Sequence, residues 1–194
     1  VEQQDVFYYV TLMNESYPQP TVPEEVHADV LRGCYCLGRY LATASTRHVT
    51  LMGSGAILTE VVKAAHQLAE TGIDVEVFSV TSWSELARDG RFVARQLARG
   101  TGPIIAVTDY VRAVPESIRA FLPQGRRYVT LGTDGFGRSD TRENLRSLFE
   151  IDPPHIAAAT MVSLVRCGAF PASKATKAIK ELGIDPEKAS PLAL

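Results

Sequence analysis

Two asparagines, three cysteines and one tryptophan among 194 residues leave several kinds of chemistry with little to work with. Cys34, Cys36 and Cys167 are an odd number, and the Cys-x-Cys pair has no histidine beside it. This excludes a disulfide framework and a zinc knuckle, and is expected of reduced thiols in a reducing compartment. His27, His48, His66 and His155 stand apart from one another and from the cysteines, so no metal-ligand spacing emerges. The net charge is −2 and there is no basic run, which argues against nucleic acid and against an anionic membrane surface. No signal peptide, spanning segment, internal repeat or low-complexity tract is present. The first residue is Val1, and the apolar run VFYYVTL follows almost at once, so the sequence is expected to begin inside a longer chain.

What is present is an alternation of two hydrophobic periods. Val6–Met13 is β-branched and aromatic and reads as a strand, and the prolines of 14–23 cannot extend it. Residues 1–23 are therefore expected to form an arm. Beyond it, Glu24–Arg32 predicts a short helix with Val26, Val30 and Leu31 on one side, closed by Gly33. Strands are expected at Cys34–Tyr40, His48–Met52, Val75–Val80, Pro103–Val107 and Tyr128–Leu131. Helices are expected at Ala56–Thr71, Ser82–Arg99 (interrupted near Asp89–Gly90), Glu116–Leu122 and Thr141–Glu150. This spacing predicts an α/β fold, a doubly wound and mostly parallel sheet with helices on both faces. Two further helices, His155–Arg166 and Ser173–Leu182, follow Pro153–Pro154, and a loose tail over 187–194 ends the chain.

Chemistry concentrates at the ends of the strands. Gly53-Ser54-Gly55 lies between a strand and a helix but lacks the third glycine of a dinucleotide fingerprint and the lysine of a P-loop. A tight turn is expected there. Ser54 is not in a nucleophile elbow, and no histidine is placed to activate it. Asp109 ends the apolar strand at Val107. After Leu131 comes a loop shaped by Gly132, Gly135 and Gly137 and crowded by Asp134, Arg138, Asp140, Arg142 and Arg146. Such a loop needs a ligand or mutual salt bridges, and the salt bridges are the expectation. Asp140 and Glu143 have the spacing of a helix-entry capping box. The Gly53, Asp109 and Asp134 clusters should share the sheet edge at which such folds bind ligands.

SVTSWSELARDG at Ser79–Gly90, TDYVRAVPESIRAFLP at Thr108–Pro123 and LGTDGFGRSDTRENLRSLFEID at Leu131–Asp152 resemble the C-terminal domain of the homodimeric pyruvate dehydrogenases, a transketolase-like family. Residues 1–20 resemble the segment by which that family leaves its pyrimidine-binding domain, which implies a boundary at residue 23 and a C-terminal domain over 24–194. The chain is shorter than the family pattern between Arg91 and Pro103. Phe136-Gly137-x-Ser139 also resembles transketolases, which keeps a sugar-transferring enzyme as an alternative; a free-standing module binding a small anion or nucleotide at the Gly53, Asp109 and Asp134 edge is another. The resemblance implies an oxidoreductase that uses thiamine diphosphate and magnesium to decarboxylate pyruvate and acetylate lipoyl groups. It also implies a second copy of the chain, the enzyme's remaining domains and a dihydrolipoyl acetyltransferase core as partners, and a cytoplasmic location. The family's metal and pyrophosphate motif begins Gly-Asp-Gly and ends with an asparagine pair. Here Gly132-Thr133-Asp134-Gly135 has another order, and asparagine occurs only at Asn14 and Asn144. The chain is thus expected to carry no cofactor or catalytic residue, and Asp109, Asp134, Arg138, Asp140 and Arg142 to act structurally or at an interface. Val6–Met13, cut from its own sheet, is expected to pair with a second copy more readily than to dock on its own core.

Overall fold

The computed structural model describes residues 5, 7, 9, 10, 12–42 and 47–193. Five strands, β1 (Cys34–Tyr40), β2 (His48–Ser54), β3 (Asp74–Val80), β4 (Ile104–Val107) and β5 (Tyr128–Leu131), form one sheet in the order β1-β3-β2-β4-β5. β2, β3, β4 and β5 run parallel, and β1 closes one edge antiparallel to β3 with an irregularity between Cys36 and Gly38. Only an antiparallel edge strand departs from the expected parallel sheet. Its direction follows from the short α1 (His27–Leu31) that feeds it: Gly33, at φ +110°, turns the chain so that its carbonyl accepts the Thr81 and Ser82 amides at the end of β3.

Helices cover both faces. α2 (Ile57–Glu70), α7 (Pro153–Arg166) and α8 (Ala172–Glu181) lie on one, where Val61, Ala65, Leu68, Met161 and Leu164 pack on Leu51, Val75, Val77 and Ile105. α3 (Trp83–Arg88) and α4 (Gly90–Leu97) lie on the other, with Leu86, Phe92 and Leu97 against Met52, Phe78 and Ile104. The expected break between them is real, because Asp89 leaves helical geometry and its carboxylate caps α4 by accepting the Phe92 amide at 3.0 Å. All of β4 is fully buried, as its apolar composition demands of a parallel strand covered twice.

Several elements differ from expectation. The described residues of the strand expected over Val6–Met13, namely Phe7, Tyr9, Val10, Leu12 and Met13, form no strand, while Val6, Tyr8 and Thr11 lie outside the described residues. A strand needs a neighbouring ladder, and the described residues of this segment find none. Leu31, expected on the buried side of its helix, is exposed. In place of one helix over Glu116–Leu122 there is a single turn, α5 (Ala113–Glu116), and a 3-10 turn at Arg119–Phe121, because the Ser117 hydroxyl and amide both bond the Val114 carbonyl and tighten the chain. α7 starts two residues early, at Pro153, where a proline suits the first turn and Asp152 caps the His155 amide. The tail is not loose throughout: Lys188 donates to the Ser147 and Leu148 carbonyls at 2.7 and 2.8 Å.

One guanidinium secures the amino ends of the central strands. Arg126 donates to the Gly102 and Leu97 carbonyls, each at 2.7 Å, and to the Thr50 hydroxyl at 2.8 Å. Burial lowers its pKa to about 10, so it stays charged at neutral pH. The backbone there is tight enough that a Cβ on Gly102 would fall 1.5 Å from the His48 carbonyl oxygen. Arg126→Met keeps the aliphatic stem and strands three acceptors, and it is expected to lower the stability of the chain by about 2–3 kcal/mol. Urea unfolding with an unchanged m-value checks this; an unshifted midpoint would mean that water replaces the guanidinium at no cost.

Candidate functional site

The carboxyl ends of the parallel strands converge as expected. β2 ends at Ser54, whose hydroxyl donates to Thr108 after β4 at 3.3 Å. Gly53 is required by close packing: a Cβ there would meet Val61 Cγ2 at 2.9 Å and Leu58 Cα at 3.1 Å, and Gly55 completes the turn at φ +55°. The Gly-Ser-Gly stretch is thus the tight turn its spacing suggested. The loops after β4 and β5 are stitched together, the Thr133 amide donating to Tyr110 O at 2.9 Å and its hydroxyl to Asp109 O at 2.8 Å.

The five charges of the last loop do not pair with one another among the described residues, which corrects the expected network. Asp134, Arg142 and Arg146 take their partners from other segments, while Asp140 and Arg138 bond within the loop and the start of the helix after it. Asp134 accepts the Arg112 amide at 2.7 Å and its Nε at 2.6 Å. Asp140 accepts the Thr141 amide at 2.6 Å and the Asn144 side chain at 2.8 Å. Arg142 pairs with Asn14 and Glu15 of the arm, and Arg146 with Glu60 at 3.0 Å and the Tyr17 hydroxyl at 3.4 Å. Among the described residues Arg138 donates only to its neighbour's carbonyl, Gly137 O, at 3.3 Å. The physical reason is position: the loop lies between the β4–α5 turn, α2 and the arm, so partners on those segments are nearer than loop neighbours across the turn.

The helix α6 (Arg142–Leu148) is capped by Thr141 and not by Asp140, since the last extended residue is Thr141 and its hydroxyl accepts the Asn144 amide at 3.3 Å. Glu143 makes no box. At the other end Glu150 adopts φ 62°, and the Ile151 amide returns to Arg146 O at 2.9 Å, a helix stop usually given to glycine. Glu60, only 4% exposed, anchors Arg146 from beneath and binds Lys63 at 2.9 Å. Sequence reasoning missed Glu60, Arg112, Asn14 and Glu15. A signal existed for Glu60, which falls on the apolar face of its helix with Ile57, Val61 and Ala64.

A cavity of about 280 Å³ opens at this edge, lined by Ile57, Asp109, Thr133, Arg138, Arg142 and Phe149 among others, with Met13 of the arm at its rim. Asp109, Arg138 and Arg142 meet here; Asp140 lines a neighbouring cavity, and Asp134 faces Arg112. Two of the histidines pair elsewhere, His155 with Asp152 at 2.5 Å and His48 with Asp74 at 3.5 Å, and His66 meets the Tyr40 ring edge-on. Burial pushes the Cys34 thiol up to about 12, so it is no nucleophile.

The residues of this edge do not fit thiamine diphosphate and its metal. Arg112 occupies both oxygens of Asp134, the one acid in the Gly-Thr-Asp-Gly turn, and Asn144 is spent on Asp140. Among the described residues no three histidine, cysteine or acidic side chains are grouped to hold a metal ion. No helix among them is long and apolar enough to cross a membrane.

The same contacts set an acid limit. The Arg112 amide, followed by its guanidinium, holds the Asp134 carboxyl below its ordinary value, and the Asn144 side chain and Thr141 amide do the same for Asp140. A depressed folded pKa contributes stability above the unfolded value of about 3.9, and that contribution is lost as pH falls through the folded value. Asp134→Asn is therefore expected to melt lower at neutral pH and to lose less on acidification below about pH 4. Melting curves across the acid range check it; parallel curves for both proteins would show that the Asp134 contacts contribute nothing.

The family model described as the transketolase-like TK C-terminal domain matches residues 33–152. The chain is 42% identical to the pyruvate dehydrogenase E1 component of Cupriavidus necator, over 100% of the chain and 23% of that protein. The E1 components of Pseudomonas aeruginosa and Escherichia coli are 42% and 36% identical, each over 98% of the chain and 24% and 23% of their own lengths. The chain thus spans about a quarter of the length of the curated relatives it matches. Among solved structures, transketolase from Leishmania mexicana superposes with a TM-score of 0.53 at 20% identity, covering 74% of this chain and 20% of that one. Transketolase from Campylobacter jejuni does so with 0.51 at 19%, covering 73% and 20%. At such identities the likeness is one of fold. With the five-stranded sheet, the edge loops and the matched span in agreement, the chain belongs to the transketolase-like C-terminal domain family.

Proposed function

We propose that this chain is the C-terminal domain of a pyruvate dehydrogenase first component, serving in assembly and in the walls of the approach to an active site built by other domains. The observation that carries the reading is 36–42% identity over 98–100% of the chain to proteins named pyruvate dehydrogenase E1 component, against 20% or less for the transketolases compared above. Residues 24–194 form the domain, and residues 1–23 are the end of a preceding pyrimidine-binding domain and its linker. The whole enzyme, a cytoplasmic homodimer, decarboxylates pyruvate derived from glycolysis with thiamine diphosphate and magnesium and passes the acetyl group to lipoyl groups of an acetyltransferase core. Asp109, Asp134, Arg138, Asp140 and Arg142 shape the edge that faces the other domains.

The arm supports this reading physically. Phe7, Tyr9 and Leu12 are 93%, 90% and 87% exposed, a load of apolar surface that a neighbouring sheet would cover. Arg142 and Arg146 hold the following residues, Asn14, Glu15 and Tyr17, against the domain, which sets the direction in which the linker leaves it while those contacts last. The arm thus contacts its own domain through Met13, Asn14, Glu15 and Tyr17, while Phe7, Tyr9 and Leu12 stay exposed and suited to a partner.

The isolated chain is expected to show background turnover of pyruvate with ferricyanide as acceptor, and flat calorimetric titrations with thiamine diphosphate and magnesium. The protein read from the gene extended upstream of Val1 is expected to decarboxylate pyruvate. Micromolar cofactor binding by the isolated chain would overturn the assignment of the site to other domains. Ketol transfer from xylulose 5-phosphate by the longer protein, without action on pyruvate, would replace it with the transketolase reading.

A further inference from the structure

The strand order reverses beside β2: the chain moves from β2 outward to β3, then returns to β4 and β5 on the opposite side. α2 leaves β2 toward one face, and Pro115 and Phe121, which follow β4, lie toward the other, where Tyr128 and Gly90 meet them. The carboxyl ends of β2 and β4 therefore part into a crevice, the position at which doubly wound sheets take ligands. The 280 Å³ cavity stands at its mouth. Ile57, Leu145, Phe149 and Ile151 give it an apolar lining, and three arginines, Arg138, Arg142 and Arg146, line it as well. Asp109 is the acidic residue on its wall.

The three cations are in different states. Arg146 is fixed from beneath by the buried Glu60, which also binds Lys63. Arg138 bonds only the Gly137 carbonyl among the described residues, so most of its five donors face the cavity or solvent. Arg142 binds the Glu15 carboxylate and the Asn14 amide oxygen. The arm thus places an apolar side chain, Met13, at the cavity and a carboxylate, two residues on, upon a cavity arginine. Glu15 is half exposed, so water competes for this pair and the contact is exchangeable.

We propose that the crevice is a binding site for a small monocarboxylate with an apolar body, and that Met13–Glu15 of the arm is its built-in competitor. The carboxylate would be received by Arg138 and Arg142, whose planar forks match it, and the body would lie on Ile57, Leu145 and Phe149. Ligand and arm use the same guanidinium, so they exclude each other, and linkage makes the effect reciprocal: a ligand loosens the arm as much as the arm weakens the ligand. The crevice thereby couples occupancy to the direction in which the linker leaves the domain.

Hexanoate, with hexan-1-ol as the uncharged control, tests the proposal by calorimetry on the full 194-residue chain and on two exposed-site variants. Glu15→Gln is expected to bind hexanoate roughly fivefold more tightly than the unsubstituted chain, the scale of one exposed ion pair. Arg138→Gln is expected to weaken it by a similar factor, and hexan-1-ol should not bind. A second readout is cleavage of the arm by a protease, which hexanoate should accelerate in the unsubstituted chain and, in Arg138→Gln, accelerate only at roughly fivefold higher concentration. Equal affinity in all three proteins, no binding at millimolar hexanoate to Glu15→Gln, or an arm cleaved at the same rate with and without hexanoate would each overturn it.

Discussion

Ile104, Ile105, Ala106 and Val107 are closed to solvent on both faces, and a strand in that situation has no place for a polar side chain along its length. Everything polar is displaced to its ends. At the amino end the backbones of Gly102 and His48 come close enough to forbid any side chain, and a single half-buried arginine gathers the carbonyls left there. At the carboxyl end Thr108 is fully buried and answers Ser54, and the first exposed residue, Asp109, hands its carbonyl to Thr133. The concentration of charge on one edge is thus a consequence of how completely the centre of the sheet is dried.

The charges on that edge are balanced at long range. Asp134 reaches Arg112 from the preceding loop, Arg146 reaches Glu60 across 86 residues, and Arg142 reaches the arm. A loop tied in this way to the β4–α5 turn, to α2 and to the arm keeps its shape through its surroundings, which leaves Arg138 without an obligation to the fold. Stability and recognition are in this sense separated among neighbouring arginines.

The periods of apolar residues made the sheet, α2, the α3–α4 break and α7 legible in advance, because each is driven by burial of a stripe or a run that can be read locally. The glycine turns were legible for the same reason, a Cβ being excluded at Gly53 and a positive φ being needed at Gly33. The partners of the charged loop were not, since a run such as Asp134 to Arg146 states what charges exist and not which segment tertiary folding brings beside them. The cap at Thr141 was misread in favour of Asp140 because both residues are competent caps and only the backbone angle decides between them. The arm was read as a strand from its β-branched residues alone, whereas pairing requires a neighbour that no local pattern supplies.

Helix α6 is seven residues long, yet it is held by both extremities of the described chain: its first residue grips Asn14 and Glu15, and its final carbonyls are covered by Lys188. During synthesis these events are separated in time. Asn14 leaves the ribosome 128 residues before Arg142, which at typical elongation rates is roughly 6–25 s of waiting. For that interval Asn14 and Glu15 lack their partner on this domain, and Phe7, Tyr9 and Leu12 remain exposed even after it forms. The amino-terminal half of the clasp therefore waits for Arg142, and the carboxyl-terminal half waits a further 46 residues for Lys188.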